Sequence, residues 1–177
     1  QYGITLSPSK INLCQPELEF LGHKIDANGI KPLAKHIEAL ENFPRPTCRN
    51  SLKRFIGMAQ FNGKLVKDSS ITLAPLHRLC SNKIPFIWTE EHENSFIKMK
   101  NDLKQSPGLK HRNLGLPLYL STDASGTRCG ATLYQKATDG NFETVGYFSK
   151  IFSPPEMRLS SRHREILALS YGIKYFE

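Results

Sequence analysis

Several things are scarce in this chain of 177 residues. Long apolar runs are missing: the longest are a few residues, far below the ~20 that a helix needs to cross a bilayer. No membrane span is therefore expected. A leader with a basic start, an apolar middle and a small-residue end is also missing. Cysteine is sparse, with Cys14, Cys48, Cys80 and Cys129 the only four. None is spaced C-x-x-C, and none has a histidine nearby at zinc-ligand spacing. They read as reduced thiols of an intracellular protein. There is no internal repeat and no low-complexity tract. The chain starts at Gln1 without Met and stops at Glu177 inside a helix-like segment, so both ends are expected to be cut from something longer.

Acidic residues are the minority charge. There are 16 Asp+Glu against 24 Lys+Arg, a net +8. The excess is uneven: residues 1–80 hold 11 basic and 6 acidic side chains, residues 116–177 hold 7 and 6. A basic first half joined to a nearly neutral last third suggests that the first half meets a polyanion. A solvated basic surface without a partner would give the same count. Hydrophobic residues make up 39% of the chain, enough for a packed core.

The segment 17–31 reads as a short hairpin, with Leu18, Phe20 and Ile25 on its strands and Ala27-Asn28-Gly29 at its turn. Pro32 suits a first helical turn, and Ile37, Leu40 and Phe43 give a brief helical stripe that Pro44 and Pro46 stop. Thr47 or Asn50 is the expected cap of a second helix. Its Leu52, Phe55, Ile56 and Ala59 fall on one buried face. Lys53, Gly57, Gln60 and Lys64 share another, roughly a third of a turn away. Residues 68–76 read as a loop or short turn ending in Ala74-Pro75-Leu76. Thr89 should cap a third helix striped by Phe96, Met99 and Leu103, with acids at its start and lysines towards its end. The period then changes from helix to strand. Leu116–Asp123, Gly130–Gln135 and Thr144–Ser149 read as three strands, the last two joined through Asp139-Gly140. Ser160 or Ser161 opens a final helix with Ile166, Leu169, Ile173 and Phe176 as its stripe. The fold class is α+β.

Two acids stand out. Asp123 ends the first of these strands, and Glu165 lies one turn into the last helix on the side expected to face the sheet. A strand end and a helix that bring two carboxylates together create a repulsion that a divalent metal removes. Asp123 capping a turn and Glu165 reaching Arg162 or Arg164 would explain them without chemistry. None of His23, His36, His77, His92, His111 and His163 has ligand spacing, so surface or hydrogen-bonding roles are read for all six.

The strings TDAS, GATLYQ, GYFSK and HREILAL follow one another here. In their order and spacing they resemble the opening of the ribonuclease H domain in Pol polyproteins of gypsy-class LTR retrotransposons. Upstream, EFLGHKI, ENFPRP, LKRFIGM, APLHRL, FIWTEE and SPGL extend the resemblance over nearly the whole chain. The resemblance implies an order of parts. Residues 1–31 would end the polymerase palm with a primer-grip hairpin, 32–82 would be a helical thumb or connection, and 83–177 would be a linker helix and the first part of an RNase H-like domain. It also implies roles. Asp123 and Glu165 would be catalytic and would hold two Mg²⁺ or Mn²⁺ ions that cleave the RNA strand of an RNA–DNA hybrid. Phe20, Leu21, Gly22 and His23 would grip the primer strand, and Lys53, Gly57, Gln60 and Lys64 would track the duplex. The rest of the Pol polyprotein would be the partner, in the cytoplasm, a virus-like particle or the nucleus. The polymerase's Tyr-x-Asp-Asp is not here, since no two aspartates are adjacent. Further nuclease acids, and a strand beside the first, are expected outside the chain. The alternative is a non-catalytic or co-opted nucleic-acid-binding remnant of such an element. Three positions depart from the family: His163 replaces an acid, Leu159 replaces a frequent Tyr, and Phe61-Asn62-Gly63-Lys64 replaces an aromatic-aromatic-basic run.

Overall fold

A computed structural model describes Ser7 and residues 11–177. Its elements run β1 (Glu17–Phe20), β2 (His23–Asp26), β3 (Gly29–Pro32), α1 (Ala34–Glu41), α2 (Arg49–Gly63), α3 (Ser69–Leu79) and α4 (Glu90–Lys104), then β4 (Leu118–Ala124), β5 (Arg128–Lys136), β6 (Phe142–Ile151), α5 (Pro154–Met157) and α6 (Ser161–Phe176). Each set of three strands makes an antiparallel sheet in chain order. The mixed α and β content agrees with the sequence. Among the described residues no helix is long and apolar enough to cross a membrane.

The first sheet is a meander of three strands, not the single hairpin expected. An earlier turn was hidden at Leu21 and Gly22. Both have positive φ, 45° and 76°, the geometry that matches the twist of a two-residue hairpin. The turn at Ala27-Asn28 is where the sequence placed it, with the Asn28 N–H donating to Asp26 Oδ1 at 2.7 Å. Pro32 closes β3, and the helix begins two residues later at Ala34.

One apolar cluster holds the four longer helices of the first part together. Leu52, Phe55, Ile56 and Ala59 of α2 meet Leu73, Leu76 and Leu79 of α3 and Phe96, Met99 and Leu103 of α4 there. Each large side chain buried this way contributes ~1.5–3 kcal/mol. The linker helix α4, expected to belong with the last third, thus has its buried face in this helical cluster. Lys100 of α4 lies over the Phe96 ring and donates to the carbonyls of Glu41 and Phe43 at 3.0 and 2.6 Å, satisfying the chain just past α1.

Two local expectations fail here. Cys48, not Thr47 or Asn50, is the N-cap of α2, and its backbone N–H donates to Ser51 Oγ at 3.3 Å. Residues 68–76 are not a loop or short turn, because Asp68 is the N-cap of α3, and α3 covers the rest and includes Pro75. Proline costs a helix interior ~3 kcal/mol. Burial of Leu73, Leu76 and Leu79 on one face outweighs that cost.

The second sheet packs α6 against β4 and β5. The stripe expected on α6 is displaced. Ile166, Leu169 and Ile173 are exposed, and Ala168 and Gly172 are buried instead. The reason is approach: a Cβ on Gly172 would stand 3.1 Å from Ala131 Cβ and 3.4 Å from Leu120 and Thr122. A close helix–sheet contact needs small residues at the crossing. Ser160 is the cap, as expected, and its Oγ accepts from the His163 N–H at 3.4 Å while lying 2.7 Å from His163 Nδ1. The imidazole thus closes the cap of α6, at the position where the resemblance implies an acid. At the far end of β6, the Tyr171 hydroxyl, the Ser153 N–H and Lys150 together hold the Glu156 carboxyl down at about 2.

The parts are stitched by the linker after α4. Ile30 and Leu109 exchange backbone hydrogen bonds at 2.8 and 2.9 Å. The Lys110 N–H donates to the Thr144 carbonyl at 2.8 Å, and Ser106 Oγ donates to the Leu65 carbonyl at 2.7 Å. The Ser70 N–H donates to Ser149 Oγ at 3.1 Å, tying α3 directly to β6. Phe55→Ala is expected to destabilise the chain by ~3–5 kcal/mol, whereas Leu169→Ala should change stability by ~0.5 kcal/mol or less. Denaturant unfolding of both variants checks this. Equal losses would place the core wrongly.

Candidate nucleic-acid interface and carboxylate site

The expected duplex-facing residues of α2 are where helical spacing puts them. Lys53, Gly57, Gln60 and Lys64 are all exposed. Neither lysine has an ion pair or a side-chain hydrogen bond among the described residues. A Cβ on Gly57 would meet nothing within 4 Å, so the middle of the stripe is open. Gln60 Nε2 lies 3.1 Å from His77 Nε2 of α3.

The β1–β2 turn lies beside this stripe, and Phe61 is the reason. A Cβ on Gly22 would stand 2.5 Å from Phe61 Cζ. The His23 ring stacks on Phe61 at 5.1 Å and 14°, and His36 meets the same ring edge-on at 5.6 Å. Phe20 and Leu21 project outward, Leu21 at 74% exposure. His23 does not: it is 5% exposed, and its Nδ1 has no partner, like that of His36. Two of the four expected grip residues, Phe20 and Leu21, are thus at the surface, Gly22 is half-buried against Phe61, and His23 is a buried support for them. The surface or hydrogen-bonding role read for it from the sequence is corrected: the ring is buried in this stack, and its Nδ1 has no partner. Phe61 was seen in the sequence only as a departure from the family's pattern. An aromatic one place beyond Gln60, on the polar side of an amphipathic helix, was the signal.

The carboxylates stand at the same end of the second sheet. Gly172 of α6 crosses β4 at Leu120 and Thr122, and one turn earlier Ala168 packs with Cys129 and Ala124. A further turn towards the start of α6 brings Glu165 to the end of β4 where Asp123 lies. Their side chains leave in different directions. Strand alternation sends Thr122 to the α6 side and Asp123 to the other, where its partner Gly130 faces Asp68. Asp123 lines a recess of about 170 Å³ with Lys67, Asp68 and Arg128, and Glu165 does not. Both acids are exposed. Among the described residues Asp123 caps no turn and Glu165 pairs with neither Arg162 nor Arg164. Arg164 Nη1 instead donates to the Met157 carbonyl at 3.1 Å. No three acids, histidines or cysteines are grouped for a metal among the described residues. Sequence reading missed Asp68, Lys67 and Arg128. Two-residue alternation from Gly130 would have put Arg128 on Asp123's face, but the approach of Asp68 is tertiary.

A helical body thus precedes a three-stranded antiparallel sheet crossed by α6. Residues 88–177 match the family described as the RNase H-like domain found in reverse transcriptase, and the chain belongs to that family. It is 31% identical over 176 residues to the retrovirus-related Pol polyprotein from transposon 412 of Drosophila melanogaster, covering 99% of this chain and 14% of that protein. It is 27% identical over 174 residues to the transposon Tf2-3 polyprotein of Schizosaccharomyces pombe, covering 98% of this chain and 13% of that one. The chain therefore spans about one seventh of these relatives. The foamy viral protease-reverse transcriptase in complex with RNA/DNA hybrid superposes with a TM-score of 0.81 at 22% identity, over 94% of this chain and 23% of that one. The form with its dRH reverse transcriptase in complex with double-stranded DNA gives 0.78 at 21% identity, over 90% and 28%. At these identities the likeness shows the fold.

The environment of His23 makes stability depend on pH. Burial, then the charges of Lys64 and His36, holds its pKa below the ordinary 6.5. The unfolded chain therefore takes up the proton first as pH falls. The stabilisation is complete above 6.5 and is lost below it, as pH drops through the lower folded value. His23→Phe keeps a stacked ring and removes the titration. Melting temperatures from pH about 7.5 to about 5 should fall more steeply in the wild type than in the variant. Parallel curves would sink this account.

Proposed function

We propose that this chain is the stretch of a retrotransposon Pol polyprotein in which the reverse transcriptase thumb passes into the RNase H domain. In this reading residues 17–31 carry the primer-grip turn, the helical body is the thumb, and the second sheet with α6 opens the nuclease. The parent protein copies RNA into DNA and removes the RNA strand of the resulting hybrid. The single observation carrying the nucleic-acid reading is the α2 stripe, where two unpaired lysines flank an open glycine beside the projecting Phe20 and Leu21. Unpaired lysines meet phosphates at no cost in broken ion pairs, and the bare Gly57 lets a groove wall come close. Solved foamy viral relatives of the same fold hold double-stranded DNA and RNA/DNA hybrid, which supports the reading.

Asp123 and Glu165 offer the oxygen donors that Mg²⁺ or Mn²⁺ takes. Both are exposed, unpaired and at one end of the sheet, so they suit part of a two-ion ligand set. Bound there, a metal pair supplies an activated water and charge neutralisation at the leaving oxygen. Two carboxylates are fewer than such a site needs, so this chain by itself should release almost no RNA from a hybrid.

Binding is tested by the salt dependence of affinity for a short RNA–DNA hybrid. Lys53→Ala with Lys64→Ala should lower the slope of log affinity against log salt by about 2, since each lost phosphate contact removes about 0.9. An unchanged slope refutes the α2 track. For the nuclease, Asp123→Asn is placed in the longer polyprotein. RNA release should drop about 100-fold or more with hybrid affinity kept. Undiminished cleavage would leave the binding-only remnant as the better description.

A further inference from the structure

The surface cations of this chain are of two kinds. Eight face a carboxylate among the described residues, as Arg78 faces Glu91 at 2.8 Å and Lys150 faces Glu156 at 3.0 Å. Lys64, Lys67 and Arg128 have no such partner among the described residues. These three are not scattered.

A groove of about 860 Å³ runs between α3 and the outer strand β6. Lys64, at the end of the α2 stripe, lines one part of it, and Arg128 lines another. Arg128 also lines the recess that holds Asp123, together with Lys67. Both cations line a third hollow beside Tyr147. Arg128 is therefore, among the described residues, the charged side chain shared by the groove that starts at the α2 stripe and the recess that contains Asp123, with the apolar Ile71 beside it in both. Its position follows from register. Arg128 is two residues before Gly130 on β5, and Gly130 pairs with Asp123 on β4. Alternation puts Arg128 and Asp123 on one face of the sheet, away from α6. The neighbouring Cys129 turns the other way and is buried against α6.

An exposed guanidinium that makes no ion pair, although Asp68 and Asp123 line the same recess, keeps its donors free. Its planar fork matches two oxygens of a phosphate, which a lysine cannot do. We propose that Arg128 is a positioning residue that holds a backbone phosphate of the nucleic acid on its way from the α2 stripe to Asp123. This rests on the duplex reading above and extends it to a residue outside the helical body. Lys64, Arg128 and Lys67 then form a cationic track, with Arg128 at the junction.

The test uses the 177-residue chain and a short RNA–DNA hybrid, titrated from low to high salt. Arg128→Ala should lower the salt slope by about 0.9, the signature of one lost phosphate contact. Arg128→Lys should restore the slope, because charge returns, while affinity stays below wild type, because the fork is gone. Melting temperatures of both variants should match the wild type, since the guanidinium holds nothing in the fold. If Lys53→Ala with Lys64→Ala lowers the slope and Arg128→Ala does not, the duplex lies on α2 and the inference is overturned alone. If Arg128→Ala and Arg128→Lys lower the slope alike, the effect is not electrostatic and the inference is again overturned. If the lysine pair has no effect on the slope, the duplex reading itself fails, and Arg128 loses its role as the continuation.

Discussion

The arrangement of the molecule depends on one backbone crossing. Strand β3 and the linker after α4 meet at Ile30 and Leu109, which exchange both of their hydrogen bonds. A glycine on each side makes the meeting possible. Gly29 has φ +141°, and a Cβ there would collide with the Leu109 carbonyl oxygen. Gly108 has φ +81°, and a Cβ there would collide with the Ile30 carbonyl oxygen. Neither backbone state suits an L side chain. The crossing positions the small sheet against the linker, and the next residue, Lys110, bonds to β6. The β1–β2 turn, the helical body and the second sheet are thereby held in one frame.

Within that frame, support and contact are divided between different side chains. Phe61 is clasped by two imidazoles, each with an unpartnered Nδ1. Leaving polar atoms buried without partners costs ~1–3 kcal/mol each. That cost is met by packing, and its result is a fixed distance between the turn and α2. The groups that remain outside, Phe20, Leu21, Lys53 and Lys64, hold nothing in the fold. They are free for a ligand because their neighbours do the structural task. The same division recurs on the sheet, where Cys129 is buried and the adjacent Arg128 is free.

The helical stripes of α2 and α4 and the order of the strands in the second sheet could be read from residue spacing, because large apolar residues there recur with a period of 3.6 or 2. The family motifs placed Asp123 and Glu165 on a strand end and a helix, and both are there. Other features escaped for identifiable reasons. The Leu21-Gly22 turn was masked by a bulky residue in a left-handed conformation. Helix α3 was masked by Pro75, whose local penalty is smaller than the burial gained by Leu73, Leu76 and Leu79. The true contact face of α6 was masked because small residues, Ala168 and Gly172, carry it, while the larger Ile166, Leu169 and Ile173 point outward.

By itself the sequence determined the helices α2, α4 and α6, the three strands of the second sheet in their order, the basic first half and the family to which the chain belongs, since these follow from composition, period and motif along the chain. Only the tertiary structure decided that His23 is a support instead of a contact, that Asp68 approaches the sheet at Gly130, and that Arg128 stands between Lys64 and Asp123. Those relations join residues far apart in the chain. They depend on which face each strand and helix turns to its neighbour, and that is settled by how closely the elements can approach, a quantity set by pairs of surfaces and not by either segment alone.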